Sequence, residues 1–313
     1  MKGNRSLEIF MFLLHGVNDT RTNKHVYFAF GLLVYIMTVF VNLALVSTVI
    51  LDKTLHEPMY LFLCNLFVNG ICGASAFYPK ILVDLFSDSH FISFLACLIQ
   101  IYLILCYSLC ELTCLNVMAY DRYVAICRPL EYLDIMTHQK VAKLVFFSWL
   151  FALLQTALGA WVTVRMPLCG NDIDKLYCSN WEVIKLSCTD LIIIDVYGNF
   201  LLLSLVFQVT FIIVSYIHIV RASLQSKTGK VKFMQTCLPH LITLTNFAVS
   251  LVFDAMYSRY GKSQTQQSLC NIFGIEFLVV PPLLNPIIYG MKQTEMRHQL
   301  VKMYKKIKAL SQS

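Results

Sequence analysis

An all-α membrane protein, built as a seven-transmembrane helix bundle with a short amphipathic C-terminal helix, is the fold class that three observations predict. The chain of 313 residues is 58% hydrophobic and only 14% charged, whereas average soluble domains carry roughly a quarter charged residues. Such a chain cannot clothe a globular surface in polar groups. Seven apolar segments fall near residues 26–51, 58–82, 95–126, 139–162, 194–221, 233–258 and 267–290. Each is long enough to cross ~30 Å of hydrocarbon as a helix of about 20 residues. The third observation is the sorting of basic residues between alternate loops.

Each span reads as helix because hydrocarbon offers no partner to a backbone N–H or C=O, so every one must be satisfied within the segment. The alternation of a membrane β-barrel is absent. Three loops (between spans one and two, three and four, and five and six) and the segment after span seven hold fifteen Lys and Arg against six Asp and Glu. The opposite side holds ten of each. The positive-inside rule therefore orients residues 1–25 outside, residues 26–290 as the transmembrane domain, and residues 291–313 in the cytoplasm. The net charge of +7 then lies against anionic lipid, a better account of it than nucleic-acid binding.

Two glycosylation sequons, at Asn4 and Asn18, lie on the side the charges place outside. Lys2, Arg5 and the apolar run Leu7–Leu14 have the outline of a signal peptide, but the run is short, is interrupted by Glu8, and lacks a clear cleavage site. Four cysteines sit on the same side, Cys97 at the top of span three and Cys169, Cys178 and Cys188 in the loop 163–193. On an oxidising face they read as two disulfides, for which three pairings are possible. The loop is long and polar, and the cysteines make it a cross-linked lid over the mouth of the bundle. Cys106, Cys110 and Cys114 recur every four residues and line one helix face, where small packing residues are a commoner reading than a metal stripe. After span seven, Met296, Leu300, Met303, Tyr304 and Ile307 share one face at helical spacing with basic residues around them, which fits a helix lying along the membrane surface.

No Gly-rich phosphate loop, nucleophile elbow, zincin motif or zinc-type Cys/His spacing occurs, so an enzyme is not expected. The informative residues are ionisable ones in or near spans, which are costly unless paired. Asp121-Arg122-Tyr123 closes span three, and adjacent opposite charges there can hold each other at rest.

The stretch "MAYDRYVAICRPLEY" (Met118–Tyr132) resembles the third-helix signature of olfactory receptors, a branch of the rhodopsin-like G-protein-coupled receptors. "LHEPMYLFLCNL" (Leu55–Leu66), Ser215-Tyr216, "TCLPHL" (Thr236–Leu241) and "PPLLNPIIYG" (Pro281–Gly290) resemble the family's other motifs in order and spacing. The resemblance covers the whole chain. It implies an odorant receptor, with a small-molecule odorant, a heterotrimeric G protein of the stimulatory (olfactory) type and membrane lipid as partners, no cofactor and no metal. It further implies the plasma membrane, in olfactory sensory neuron cilia. Coupling would fall to Asp121, Arg122, Tyr123, Tyr216, His240, Asn285, Pro286 and Tyr289, with Pro286 letting span seven bend. The implied disulfides are Cys97–Cys178 and Cys169–Cys188.

The chain also departs from the family. Gly70 stands where the second helix usually carries an Asp, which leaves Glu111 without its partner acid and puts a sodium site in doubt. Glu111 is then either protonated or hydrogen-bonded to Asn69 or Asn285. Phe247-Ala248-Val249 replaces the usual Phe-Tyr-Gly, and these differences resemble the fish-type branch.

Arg259 in "DAMYSRYG" matches an arginine that water-soluble-odorant receptors of the family use against carboxylates, and a guanidinium fork fits that group. An anionic ligand gripped by Arg259 with help from Ser258 is therefore expected. The bland reading is a solvated cation, or one paired with Asp254 or Glu276. Tyr102, Leu105, Ser108 and Leu109 on span three, Asn180 in the lid, Phe200 and Ser204 on span five, Ala255 on span six and Ile275 on span seven are the other candidate contacts. A sensor of a metabolite or prostaglandin-like pheromone is the alternative within the family. A seven-helix transporter or channel using Glu111 and Glu276 is the remote one, but inverted repeats and broken helices are not seen.

Overall fold

The computed structural model describes residues 10–15, 24–87, 90–188, 192–224, 233, 237–260 and 274–310, apart from the side chains at 195, 255, 257–260, 291, 292, 304, 306, 307, 309 and 310. The spans are α1 (Lys24–Leu51), α2 (Pro58–Phe86), α3 (Phe94–Cys127), α5 (His138–Val164), α7 (Ile192–Leu224), α8 (Leu238–Tyr260) and α9 (Glu276–Lys292). Two short helices, α4 (Tyr132–Ile135) and α6 (Asn180–Lys185), lie in loops, and α10 (Thr294–Leu310) follows the last span. Five of the helices are long and apolar enough to cross a bilayer, and the shorter apolar stretches Leu238–Asp254 and Glu276–Gly290 complete the expected seven.

The exterior is apolar, unlike that of a soluble bundle, and polar side chains are buried within an apolar core. Phe40 of α1 and Phe207 of α7 are 68% and 73% exposed, while Asn42, Asn69, Glu111, Asp121, His240 and Asn285 are buried. Such an apolar exterior is stable only against hydrocarbon. The helices begin where the sequence offers caps. Ser93 Oγ accepts from Ala96 N–H at 3.3 Å, Thr137 Oγ1 accepts from Lys140 N–H at 3.4 Å, and Pro58 takes the first position of α2, where its missing N–H costs nothing.

Proline inside a helix strips the donor from the carbonyl four residues earlier, and α9 contains Pro281, Pro282 and Pro286. Two of the orphaned carbonyls are met by side chains from other spans. Tyr107 Oη on α3 donates to Phe277 O, the partner lost to Pro281, at 2.9 Å. Asn42 Nδ2 on α1 donates to Pro282 O, the partner lost to Pro286, at 2.8 Å. Tyr107 can reach because Gly73 of α2 has no side chain, and a Cβ there would run into its ring.

A small sheet was not expected from the sequence. Strand β1 (Met11–Leu14) lies between β2 (Phe91–Ser93), antiparallel, and β3 (Asp172–Ile173), parallel. Part of the run with a signal-peptide outline is thus folded against the lid. Phe12 and Leu14 are buried while Met11 is exposed, the two-residue period of a strand, but four residues are too few to read that period beforehand. Both disulfides implied by the family resemblance are present, Cys97–Cys178 and Cys169–Cys188. At the opposite end, α10 packs Met296 into the core and docks on the α1–α2 turn, with Gln299 Nε2 donating to Thr54 Oγ1 at 3.3 Å. The sequons at Asn4 and Asn18 lie outside the described residues.

Replacing Asn42 with Leu leaves the Pro282 carbonyl bare in the bundle interior and is expected to cost about 1–3 kcal/mol. Thr38→Val, which removes only a hydroxyl bonded within its own helix to Val34 O, is expected to be near neutral. Thermal unfolding of the detergent-purified protein, followed with a thiol-reactive dye, compares the two. Equal midpoints for Asn42→Leu and the parent would dismiss the account of α9.

Candidate functional site

A cavity of about 240 Å³ lies beneath the lid, a little below the roughly 300 Å³ at which the usual range for small-molecule pockets begins. Its α3 wall is Ile101, Ile104, Leu105 and Ser108, at offsets of three, four and seven and so on one helix face. The lid supplies Tyr177 to Trp181, and Leu201, Leu251, Asp254 and Phe277 close it from α7, α8 and α9. The walls are mostly apolar, with few polar groups.

Of those groups, Ser108 Oγ donates to Ile104 O at 2.9 Å, and Asn180 Oδ1 accepts from Thr163 Oγ1 at 3.1 Å. Asp254 Oδ1 lies 2.5 Å from Lys175 Nζ, and Tyr177 Oη donates to Asp254 Oδ2 at 3.4 Å. The carboxylate facing the cavity is therefore balanced by a lid cation. Glu276 receives a hydrogen bond from Ser250 on α8.

Among the candidate contacts, Leu105, Ser108 and Asn180 line this cavity. The other candidates with described side chains are not in its wall. Leu109 and Ile275 pack against the main core, and Ser204 Oγ accepts from Gln155 Nε2 at 3.0 Å. Phe200 is 47% exposed on the outer surface of the bundle, and Tyr102 is half-buried off the lining face. On span three, Ile101 and Ile104 line the cavity beside the expected Leu105 and Ser108, and the helical face they share was legible. The residues flanking Cys178 were legible too, because its bond to Cys97 fixes them over α3. Leu201, Leu251 and Phe277 carried no signal beyond that of ordinary packing. Helix α8 runs through positions 255, 258 and 259, but the side chains of Ala255, Ser258 and Arg259 lie outside the described residues.

Below the cavity, Glu111 of α3 joins three spans. Asn69 Nδ2 of α2 donates to its Oε2 and Asn285 Nδ2 of α9 to its Oε1, each at 2.7 Å. Of the alternatives left open by the sequence, both hydrogen bonds are made. Each carboxylate oxygen thus has an amide donor, with no second acid at Gly70, where a Cβ would lie 3.4 Å from Pro282 Cα. In a low-dielectric interior such a satisfied network holds its elements firmly, and a half-satisfied one would be costly.

At the other end, Asp121 and Arg122 form a buried ion pair, and Tyr132 Oη donates to Asp121 Oδ1 at 2.8 Å. Arg122 lines a crevice of about 10 Å³ with Met118, His240, Tyr289 and Gln293, room for no more than about one water. Tyr216 of α7 is hydrogen-bonded to His240 of α8, their rings stacked with centroids 5.7 Å apart. Tyr123 instead packs edge-on against His218 at 6.0 Å. The structure thus gathers Asp121, Arg122, Tyr216, His240 and Tyr289 around one point, with Asn285 and Pro286 one turn away on α9.

Comparison with known proteins agrees along the whole chain. A family model described as olfactory receptor matches residues 31–307. Olfactory receptor 4E1 of Homo sapiens is 34% identical, over 96% of this chain and 95% of its own length. Olfactory receptor 4B13 of Mus musculus is 36% identical over 88% and 90%, and olfactory receptor 2K2 of Homo sapiens is 36% identical over 95% and 94%. Among solved structures, squid rhodopsin superposes with a TM-score of 0.71, covering 94% of this chain and 89% of that one at 14% identity, a likeness of fold.

Proposed function

The chain belongs to the olfactory receptor family of G-protein-coupled receptors, and from that premise we propose that it is an odorant receptor for small carboxylate ligands that raises cAMP through a stimulatory, olfactory-type G protein. The observation that carries the proposal is the two-ended bundle: a small, largely apolar cavity under the lid, and a caged arginine at the far end of the same helices. The apolar walls select by shape, and a few polar groups fix orientation.

The carboxylate specificity rests on Arg259, five residues beyond the cavity-lining Asp254 in the same helix. Asp254 is already matched by Lys175, so an acid in the cavity does not meet a bare like charge. Arg122 is the coupling residue. Asp121 holds it at rest, and Tyr132 supports Asp121. Parting the pair frees a long guanidinium for the carbonyls at the C-terminal helix of a Gα subunit. Tyr216 and His240 bind α7 to α8 beside it, so a shift of either helix changes the arginine's surroundings.

In this reading the lid faces the outside and the fifteen basic residues face the cytoplasm. Helix α10 packs Met296 and Leu300 on the bundle and turns basic residues toward anionic lipid, and the receptor works at the plasma membrane of olfactory sensory cilia.

Arg259→Ala is expected to lower potency for carboxylic acids at least about tenfold, the loss of a charge-assisted hydrogen bond of roughly 1.5–3 kcal/mol, at unchanged surface expression. A cAMP reporter in transfected cells reads this directly, and equal potency in variant and parent removes the clamp. Arg122→Ala is expected to silence the reporter while ligand binding stays measurable. Sustained cAMP production by that variant would take the coupling role away from Arg122.

A further inference from the structure

Toward α3 and toward α8, the roof of the cavity is tied down by bonds of different kinds. On the α3 side, Cys178 is bonded to Cys97, and its N–H donates to Gln100 Oε1 of the same helix at 3.0 Å. On the α8 side, three residues earlier in the lid, Lys175 Nζ lies 2.5 Å from Asp254 Oδ1, their side chains 5% and 13% exposed. The ammonium also sits 5.3 Å from the centroid of the Tyr177 ring, whose hydroxyl reaches the other oxygen of Asp254 at 3.4 Å. A disulfide does not part with thermal motion, whereas an ion pair does. The α3 edge of the roof is therefore fixed and its α8 edge is reversible.

We propose that the Lys175–Asp254 ion pair bolts the ligand cavity shut, and that ligand passes between the lid and α8 when the pair parts. Lys175 is then a positioning residue that holds the roof through Asp254 without being a ligand contact itself, since it is absent from the cavity wall while Asp254 and Tyr177 are in it. Both charges are withdrawn from solvent, and removing one takes from the other the opposite charge that offsets its burial, an unfavourable change. Truncation of either partner drives the roof toward the parted form, where the remaining charge meets water. The pair also ties the lid to the helix that carries His240 at its other end, so passage of ligand and the setting of α8 become linked. This inference rests on the cavity being the ligand site.

The test uses neither ligand nor G protein, so its failure and failure of the signalling account are separate results. Leu105→Cys places a thiol in the cavity wall of the purified full-length receptor in detergent. The rate of its reaction with a neutral, water-soluble methanethiosulfonate then reports access, after subtraction of the same reaction without the introduced cysteine. In this background Lys175→Met is expected to speed modification about tenfold, equivalent to ~1.4 kcal/mol in the opening equilibrium. Asp254→Asn, which keeps the shape of the side chain, is expected to act in the same direction if the methionine variant does not fold. The exchanged pair, Lys175→Asp with Asp254→Lys, is expected to return the rate to within about twofold of the parent. Parental rates in the folded single variants, or an exchanged pair as fast as the singles, would overturn the bolt.

Discussion

Backbone carbonyls stripped of their donors by proline, in a medium with no water to replace them, are the constraint on which this bundle depends. Helix α9 has three internal prolines in seventeen residues, and an unsatisfied carbonyl in hydrocarbon costs several kcal/mol. Hydrogen bonds from Tyr107 and Asn42 answer two of these carbonyls and draw α3 and α1 onto α9. That in turn explains why Gly73 lacks a side chain where Tyr107 crosses α2.

The same economy governs the middle of the bundle. A carboxylate in a span is costly unless its oxygens are engaged, and Glu111 is engaged by amides from α2 and α9. Asn285 therefore hydrogen-bonds to α3 one residue before Pro286 weakens α9. Between the cavity and the crevice, α3 carries in sequence the cavity face, Glu111 and Arg122, while α8 carries Asp254 and His240 at opposite ends. Two rods bridge the two sites, and each is held by polar contacts with discrete partners. Such contacts give an element alternative arrangements instead of a continuous give.

Much of this was legible in the residues. Seven apolar runs match seven helices, with the ends of the first five within a few residues, because hydrophobic length in a membrane is a strong signal; the expected start of the seventh, at 267, lies outside the described residues. The oxidising side and the family resemblance gave the disulfides, and the intramembrane Glu111 pointed to its amide partners. The cavity was less legible. Apolar residues that line it and those that pack beside it share one chemistry, so spacing on span three points to Leu105 and Ser108 but does not separate Ile101 from Tyr102. Phe200 is part-exposed, and an apolar ring is as much at home against hydrocarbon as in a pocket. The sheet went unseen because β1, β2 and β3 are two to four residues long and pair across the chain. Nothing local in the sequence singles out Lys175, whose carboxylate lies 79 positions away.

The central claim is that this family member converts an acid in the lid cavity into a signal at Arg122. The most direct measurement is the cAMP response of cells that express the unaltered chain with a stimulatory Gα, across a panel of carboxylic acids, amines and neutral odorants. The account predicts a rise confined to acids. A rise confined to amines or neutral compounds, or no rise to any of them with the receptor verified at the cell surface, would contradict it.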